Sequence, residues 1–220
     1  MIYCISDIHG CYDEFMELLK KIKFNENDTL YVLGDAVDRG TKPIETLRFI
    51  MQTPNVHFLI GNHEQMMMDY YKREISGILN WNKYNGSSST KKQVKKLEKE
   101  ERNKILRFLG ECPYYVNINV NGNAYLLVHA GIDPKVPFSK QEKEVMVWVR
   151  EEFIFNKALK DIICIFGHTP TKHIRHSDDY SVWFDTEHKD KVCIDSGCAY
   201  GGALAALRLD DMKMFYVESY

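Results

Sequence analysis

The sequence lacks the features that mark secreted and membrane proteins. Its six cysteines form no C-x-x-C motif and no dense framework, and Cys4, Cys164 and Cys193 lie inside apolar runs, where a free thiol behaves as a small hydrophobic residue. No apolar stretch approaches the ~20 residues of a membrane span, and no basic and apolar leader precedes the first predicted strand. These absences predict a reduced, cytoplasmic protein without a membrane partner.

Charge of one sign is also lacking, because the formal net charge is only −2. Nucleic-acid-binding domains ordinarily carry a basic excess, so we expect no nucleic-acid partner. What is present is typical of a globular protein: 45% of the residues are apolar and 27% are charged. The length predicts a single domain over residues 1–220. The sequence leaves the oligomeric state open.

Short runs of β-branched, aromatic and other apolar residues predict the strands. They are Ile2–Ser6, Thr29–Leu33, Val56–Ile60, Ala124–Val128, Ile162–Phe166 and Lys191–Ile194. Continuous apolar runs of this length are typical of strands buried on both faces. Helical patterns at Asp13–Ile22 and Pro43–Met51 separate the first three strands. This β-α-β-α-β order predicts parallel strands joined by helical crossovers.

Two parts of the chain interrupt this alternation. Ala203–Leu209 and Lys213–Glu218 flank a short polar turn and predict an antiparallel hairpin, so we expect either one mixed sheet or two packed sheets with helices outside. Residues 65–113 have a helical pattern in which lysines and glutamates are interleaved. We interpret their charges as a solvated helix face rather than a basic patch, and the segment as a helical cap insertion.

A side chain able to bind a metal follows each of five predicted strands. In chain order these residues are Asp7 and His9, Asp35 and Asp38, Asn62 and His63, His129, and His168. Ligands of open α/β sheets bind beyond the carboxyl ends of the strands. Turn or N-cap roles explain the aspartates taken singly. They do not explain the histidines at strand ends, so we expect one shared site.

The expected ligands offer oxygen and imidazole nitrogen but no thiolate. This donor set favours Mn²⁺, Fe or Zn²⁺ in a hydrolytic site over a structural zinc site. Six protein ligands suit two ions about 3.5–4 Å apart that share a carboxylate better than one catalytic ion. The predicted ligands are Asp7, His9, Asp35, Asn62, His129 and His168. The expected cofactor is a pair of divalent ions, with Mn²⁺ preferred and Fe or Zn²⁺ as alternatives.

One combination of motifs is specific enough to suggest a family. The run Gly34-Asp35-x-x-Asp38-Arg39-Gly40, followed by Gly61-Asn62-His63-Glu64, resembles the calcineurin-like metallophosphoesterases, and within them the bacterial and phage-lambda-like serine/threonine protein phosphatases. The resemblance covers nearly the whole chain. Trp81…Asn85-Gly86 is similar to the W…NGG element of that family, although Ser87 replaces the second glycine. Val147-Trp148-Val149-Arg150 and Ile194-Asp195-Ser196-Gly197 resemble two later motifs.

The fold predicted for this chain is α/β (α+β), with two packed mixed β-sheets flanked by helices. This arrangement is an αββα sandwich that carries the helical cap insertion at residues 65–113.

The resemblance also implies roles for the site residues. Asp7 and His9 would bind one ion, Asp35 would bridge both ions, and Asn62, His129 and His168 would complete the second. A hydroxide that bridges the ions would attack phosphorus directly.

The resemblance implies further roles around the substrate. His63 is the predicted general acid, and Asp38 would hold its imidazole and favour the protonated form. Arg39, Arg150 and Asn62 would bind the phosphoryl group. For Arg39 and Arg150 a structural ion pair is the alternative. Trp148 is interpreted as a packing residue, and ordinary satisfied or solvated roles are expected for the remaining histidines, His57, His173, His176 and His188.

The leading prediction of function is hydrolysis of phosphate monoesters, specifically of phosphoserine and phosphothreonine in proteins. The alternative is a hydrolase of dinucleoside polyphosphates (the Ap4A type) or of phosphodiesters, built on the same core. A metal-stabilised binding module without catalysis is disfavoured, because every predicted reactive position is present. The expected partner is therefore a phosphorylated protein or a small phosphorylated substrate.

Overall fold

Two β-sheets pack face to face and carry helices on their outer surfaces. The computed structural model describes residues 1–75, 79, 81 and 85–220. Its strands are β1 (Ile2–Ile5), β2 (Thr29–Val32), β3 (Val56–Phe58), β4 (Tyr115–Val120), β5 (Asn123–Val128), β6 (Ile163–Phe166), β7 (Trp183–Phe184), β8 (Lys191–Cys193), β9 (Ala203–Arg208) and β10 (Lys213–Glu218). The helices of the described residues are α1 (Tyr12–Lys21), α2 (Pro43–Gln52), α3 (Asn62–Lys72), α4 (Ser88–Val94), α5 (Lys99–Glu111), α6 (Lys143–Trp148), α7 (Glu151–Ile154) and α8 (Thr171–Arg175). The predicted fold class is confirmed.

The first sheet contains the predicted parallel unit and the predicted hairpin. Its five strands run in the order β10-β9-β1-β2-β3. Strands β1, β2 and β3 are parallel, as the crossovers through α1 and α2 require, and Ile2 pairs with Thr29. Strands β9 and β10 are antiparallel, with Lys213 opposite Arg208 at the turn. The sheet is therefore mixed.

The second sheet has two strands that the sequence analysis did not predict. Its order is β4-β5-β6-β8-β7, with β5, β6 and β8 parallel and both edge strands antiparallel to their neighbours. Strand β4 is an edge strand whose Val116 and Ile118 alternate with exposed asparagines, a period-2 signal that the search for continuous apolar runs passed over. Strand β7 spans only two residues, which is too short to produce a pattern.

Burial on both faces explains the continuous apolar runs. Cys4, Leu127 and Leu207 belong to the core between the two sheets, whereas Ile5 packs with the helices outside the first sheet. A third cluster, which includes Phe166, lies outside the second sheet. Since neighbouring residues of a strand point to opposite faces, each central strand needs apolar side chains at successive positions.

The segment 65–113 contributes the rest of α3, together with α4 and α5. Part of it, residues 76–78, 80 and 82–84, lies outside the described residues. Helix α5 buries only Ile105 and Leu109, as expected for a largely solvated helix. The interpretation of the segment as a cap stays a prediction. Within the described ranges, every helix falls short of the length and apolarity that crossing a membrane requires.

Candidate metal centre

The strand ends of both sheets meet at one cleft. A cavity of about 180 Å³ is lined there by Asp7, Asp35, Arg39, Asn62, His63, Asn85, Trp148, Arg150, His168, Pro170, His173, Asp195 and Tyr200. Three predicted site residues, His9, Asp38 and His129, are buried among these side chains. The structure thus brings together all ten residues predicted from the sequence. It also places His173, for which a solvated role was expected, at the exposed edge of the cleft.

The loops that carry these residues have an unusual backbone. Six site residues have a positive φ, namely Asp7 (51°), His9 (48°), Asp35 (54°), Asp38 (72°), Arg39 (64°) and His168 (68°). Residues other than glycine adopt this left-handed region at a cost of roughly 1–3 kcal/mol each, and such residues concentrate at functional sites. The backbone is strained where it turns the predicted ligands towards the cleft.

Two glycines allow the loops to approach each other closely. A Cβ atom at Gly167 would overlap the side chains of Ser6 and Asp7, and one at Gly61 would overlap the carboxylate of Asp35. The backbone of these loops therefore lies directly against predicted ligands, which explains why glycine follows the strands at these positions.

Backbone carbonyl groups fix the orientation of two histidines. The Nδ1 atom of His9 donates to the Val37 carbonyl over 2.8 Å, and Nδ1 of His129 donates to the Leu33 carbonyl over 2.7 Å. Nδ1 of each ring therefore carries a proton, and Nε2 is the nitrogen that faces the other site residues. This is the usual arrangement of a metal-binding histidine.

The Nε2 atoms of both histidines converge on Asp35. Oδ2 of Asp35 lies 3.5 Å from Nε2 of His9 and 3.5 Å from Nε2 of His129. Asp35 belongs to two groups of potential ligands, one with His9 and His63 and one with His129 and His168, and in each group the donor atoms lie within 4.8 Å of one another. A carboxylate shared by two such groups is placed to bridge two ions.

Asn62 faces two of the histidines through its amide oxygen. Its Oδ1 lies 3.0 Å from Nε2 of His129 and 3.1 Å from Nδ1 of His168. An amide oxygen and imidazole nitrogens are all potential metal ligands, and here they lie side by side. Donor atoms about 2.0–2.2 Å from one ion lie about 3.0–3.5 Å apart, so these distances fit divalent cations.

The charge balance of the site also fits bound cations. Asp7, Asp35 and Asp195 are buried, at 4%, 2% and 3% exposure. Burial, reinforced by the nearby Asp7, raises the pKa of Asp35 well above its usual value. Burial and the neighbouring His129 lower the pKa of His168 well below its usual value. Both shifts favour the uncharged forms of these groups in the protein alone, whereas a nearby divalent cation would favour the carboxylate and the neutral imidazole that act as ligands.

His63 and Asp38 form a buried pair at the edge of this cluster. Nδ1 of His63 lies 2.7 Å from Oδ2 of Asp38, and the same oxygen accepts a hydrogen bond from Nε1 of Trp81 over 2.7 Å. Burial raises the pKa of Asp38 to about 6. Burial and the charge of Arg39 lower the pKa of His63 well below its usual value, a shift opposite in direction to the effect expected from Asp38.

The two predicted arginines lie at the cleft in different environments. Arg39 is half-buried, and its Nη1 contacts Nε2 of His9 while its guanidinium lies 4.9 Å from the centre of the Tyr200 ring. Arg150 is exposed and donates to the His168 carbonyl (3.2 Å) and to Oγ1 of Thr169 (2.9 Å). No ion pair within the described ranges contains Arg150, and this argues against its alternative as a structural ion pair.

Several residues that organise the site were not predicted from the sequence to have a role in it. Glu64 is fully buried, and its carboxylate accepts hydrogen bonds from the backbone N–H groups of Asp35 (2.8 Å), Ala36 (2.9 Å), Val37 (3.2 Å) and Gly61 (3.1 Å). It therefore ties the loop after β2 to the start of α3. Glu64, Trp81 and Asp195 all lie in motifs that resemble those of the family, and this position could have identified them from the sequence. The backbone hydrogen bond from Asp38 to Thr90 (2.9 Å) had no such signal.

Comparison with known proteins places the chain in a family. The family model for the calcineurin-like phosphoesterases matches residues 1–202. The chain is similar to bis(5'-nucleosyl)-tetraphosphatase PrpE [asymmetrical] of Bacillus velezensis, at 28% identity over 98% of this chain and 91% of the relative. It is similar to bis(5'-nucleosyl)-tetraphosphatase, symmetrical, of Buchnera aphidicola, at 27% identity over 99% and 98%.

A protein phosphatase and a solved structure complete the comparison. Serine/threonine-protein phosphatase 2 of Salmonella typhimurium is 27% identical over 94% of this chain and 92% of its own length. A crystal structure described as a proposed diadenosine tetraphosphatase superposes with a TM-score of 0.72 at 19% sequence identity. The superposition covers 100% of this chain and 93% of that one, so the two proteins share a fold. Because the family model spans most of the sequence and the predicted ligands converge in one cleft, the chain belongs to the calcineurin-like phosphoesterase family, whose members are dimetal-dependent hydrolases.

Proposed function

We propose that this phosphoesterase hydrolyses dinucleoside polyphosphates at a phosphoanhydride bond. Two tetraphosphatases of different types, from Bacillus velezensis and Buchnera aphidicola, match nearly the full length of the chain. These comparisons favour the substrate that the sequence analysis gave as the alternative over the phosphoprotein that it gave first. Because the chain is also similar to the Salmonella typhimurium phosphatase, phosphoserine and phosphothreonine in proteins are the second candidate substrate.

The observation that carries the proposal is the combination of arginines and aromatic rings around the cleft. Tyr200 is 52% exposed at the cleft, Trp148 is half-buried there, and Arg39 and Arg150 lie beside them. Stacking of a base on an aromatic side chain contributes about 1–3 kcal/mol, and guanidinium groups bind phosphate oxygens in a bidentate manner. A nucleotide with several phosphates uses both kinds of group, whereas a phosphoserine side chain has no ring to stack.

The proposed metal ligands are Asp7, His9, Asp35, Asn62, His129 and His168, with Mn²⁺ as the proposed cofactor. When bound, a pair of divalent cations supplies Lewis acidity at the phosphoryl group and activates a water molecule. Asp35 contributes the shared carboxylate, because it belongs to both groups of donor atoms. Glu64 keeps the Asp35 loop in place through backbone hydrogen bonds.

His63 is the proposed general acid for the leaving-group oxygen. Asp38 holds its Nδ1 atom at 2.7 Å, so Nε2 faces the cleft, where it lies 3.9 Å from Oδ2 of Asp35. The protein environment by itself lowers the pKa of His63. The negative charge of an arriving phosphate chain acts in the opposite direction and favours the imidazolium form that donates the proton. Trp81 stabilises the Asp38 carboxylate that orients the ring.

The test compares hydrolysis of diadenosine tetraphosphate with release of phosphate from a phosphoserine peptide, both with Mn²⁺. We expect kcat/KM to be higher for the dinucleotide. Tyr200→Ala should lower that value by about 5–150-fold, as expected from the loss of a 1–3 kcal/mol stacking contact, and should lower the peptide reaction by a smaller factor, because the ring also lies against Arg39. Phe184→Ala, which removes an exposed ring from β7, is the matched control. Faster turnover of the peptide would instead support the second candidate.

A further inference from the structure

A second cluster of potential metal ligands lies close to the catalytic cleft but contributes nothing to it. Cys11, Glu14 and Cys198 each offer one donor atom, and the three atoms lie within 4.8 Å of one another. Two sulfur atoms and a carboxylate that converge in this way form a donor set quite different from the oxygen and imidazole donors around Asp35.

The three residues come from distant parts of the sequence. Cys11 directly precedes α1, Glu14 lies in the first turn of that helix, and Cys198 begins a short 3₁₀ turn after β8. Cys198 is 2% exposed and Glu14 is 7% exposed, whereas Cys11 is only partly buried. The cluster is thus enclosed on one side and reaches solvent beside Cys11.

Glu14 is the acidic member of the cluster, and its side chain is buried. None of the ion pairs within the described ranges includes it, and its recorded hydrogen bond comes from the backbone N–H of Tyr220 over 3.3 Å. A buried carboxylate without a compensating cation is unfavourable. The geometry therefore offers a negative charge, beside two sulfur atoms, that a cation would neutralise.

We propose that Cys11, Glu14 and Cys198 bind a third, thiophilic divalent cation of the Zn²⁺ class. In tetrahedral sites Zn–S bonds are about 2.3 Å and Zn–O bonds about 2.0–2.2 Å, so neighbouring donors lie roughly 3.5–4 Å apart. The three donor atoms lie within 4.8 Å of one another, and side-chain rotation would bring them to this spacing on binding. On binding, two metal–sulfur bonds form and both thiol protons pass to solvent. The side open at Cys11 leaves room for water as the fourth ligand.

A cation at this position would connect two loops of the catalytic cleft. Cys11 follows Asp7 and His9 in the loop after β1, and Cys198 follows Asp195 and precedes Tyr200 in the loop after β8. Binding would hold these loops together and stabilise the folded chain, since ligands that bind only the native state raise its stability. The role of the third cation is structural.

Cobalt provides a direct test, because thiolate–Co²⁺ charge-transfer absorption in the near ultraviolet does not arise from oxygen and imidazole ligands. Metal-free wild-type protein is titrated with Co²⁺ in the presence of a reductant. We expect a charge-transfer band whose final intensity corresponds to one thiolate-bound Co²⁺ per chain, and it should saturate by about three added equivalents, because the cleft also binds Co²⁺. Cys11→Ser and Cys198→Ser should abolish the band, and Glu14→Gln, which keeps both thiols, should weaken Co²⁺ binding at this site at least tenfold.

Cys112→Ser is the matched control, since Cys112 is also a partly buried free cysteine but lies outside the cluster, and it should keep the full band. Circular dichroism of each variant checks folding, and the wild-type titration tests the proposal even if a variant misfolds. A wild-type protein without the band, or a Cys198→Ser protein that retains it, overturns the proposal. Peroxide-dependent loss of two thiols without any cobalt band would assign the pair to disulfide chemistry and overturn it as well.

Discussion

Replacement of Glu64 by glutamine tests whether its buried carboxylate organises the metal centre. Oε1 accepts the N–H groups of Ala36 and Val37, and Oε2 accepts those of Asp35 and Gly61. Glutamine has one acceptor oxygen, and its NH₂ group must face the other pair of donors. In either orientation of the amide, two buried backbone N–H groups lose their acceptor.

The expected loss of stability follows from this count. A buried donor left without a partner costs about 1–3 kcal/mol, so Glu64→Gln should lower the free energy of unfolding by about 2–6 kcal/mol. This is a large part of the 5–15 kcal/mol that is usual for a domain. The loop that carries Asp35 should also lose its position, so we expect Mn²⁺ affinity to fall together with stability.

Urea denaturation followed by circular dichroism, with and without Mn²⁺, gives the change in unfolding free energy. Glu101→Gln is the matched control, because Glu101 pairs with Arg48 through side chains that are 36% and 43% exposed. An exposed pair contributes at most about 1 kcal/mol. If Glu64→Gln were no more destabilising than this control, the carboxylate would not be holding the loop, and the reasoning would be refuted.

Three further predictions concern catalysis, the core and pH. His63→Asn should lower kcat by about 10²–10⁴-fold, the usual contribution of a general acid, while elemental analysis shows unchanged metal content; unchanged turnover would remove His63 from the mechanism. Lys191 is 1% exposed and its Nζ lies 3.0 Å from Asp185 and also pairs with Asp190. Lys191→Met should therefore destabilise the fold by about 3–5 kcal/mol in urea denaturation, and the triple variant that adds Asp185→Asn and Asp190→Asn should recover part of this loss. Burial acts to raise the pKa of Asp185, but hydrogen bonds from Lys191, His188 and Glu187 outweigh it and the pKa is lowered. Because the pKa of Asp185 is lower in the folded state than in the unfolded chain, its carboxylate stabilises the fold fully above the unfolded pKa of about 3.9, and this stabilisation is lost as the pH falls through the folded pKa. Denaturation measured at neutral and at acidic pH should therefore show a smaller loss of stability for Lys191→Met than for the wild-type protein.

Strands β4 and β7 could not be predicted from continuous apolar runs in the sequence. Strand β4 alternates apolar and polar residues because only one of its faces is covered, and a search for continuous apolar runs does not detect that pattern. Strand β7 pairs with β8 through only two residues, and its existence depends on the neighbouring strand rather than on its own composition. Edge strands are therefore the part of the fold that the sequence specified least.

The pKa of His63 depends on tertiary contacts that cannot be read from a sequence motif. His63 and Asp38 both lie in recognisable motifs, and Nδ1 of the ring lies 2.7 Å from Oδ2 of Asp38. The pKa of His63 is nevertheless lowered, because burial and Arg39 act on it more strongly than the carboxylate does. Trp81 and Thr90, which contact Asp38, come from the segment 65–113 and reach it only through the tertiary arrangement.

The sequence by itself determined the order of parallel strands, the C-terminal hairpin and the identity of the residues beyond the strand ends. These are local properties, because side-chain periodicity and glycine-bounded turns are written into short stretches of chain. Only the tertiary structure decided that the five strand ends belong to two sheets facing one cleft, that Asp35 is shared by two groups of donors, and that Glu64 and Trp81 support the site. Those features arise from packing between distant segments, where burial and charge depend on neighbours that no local pattern specifies.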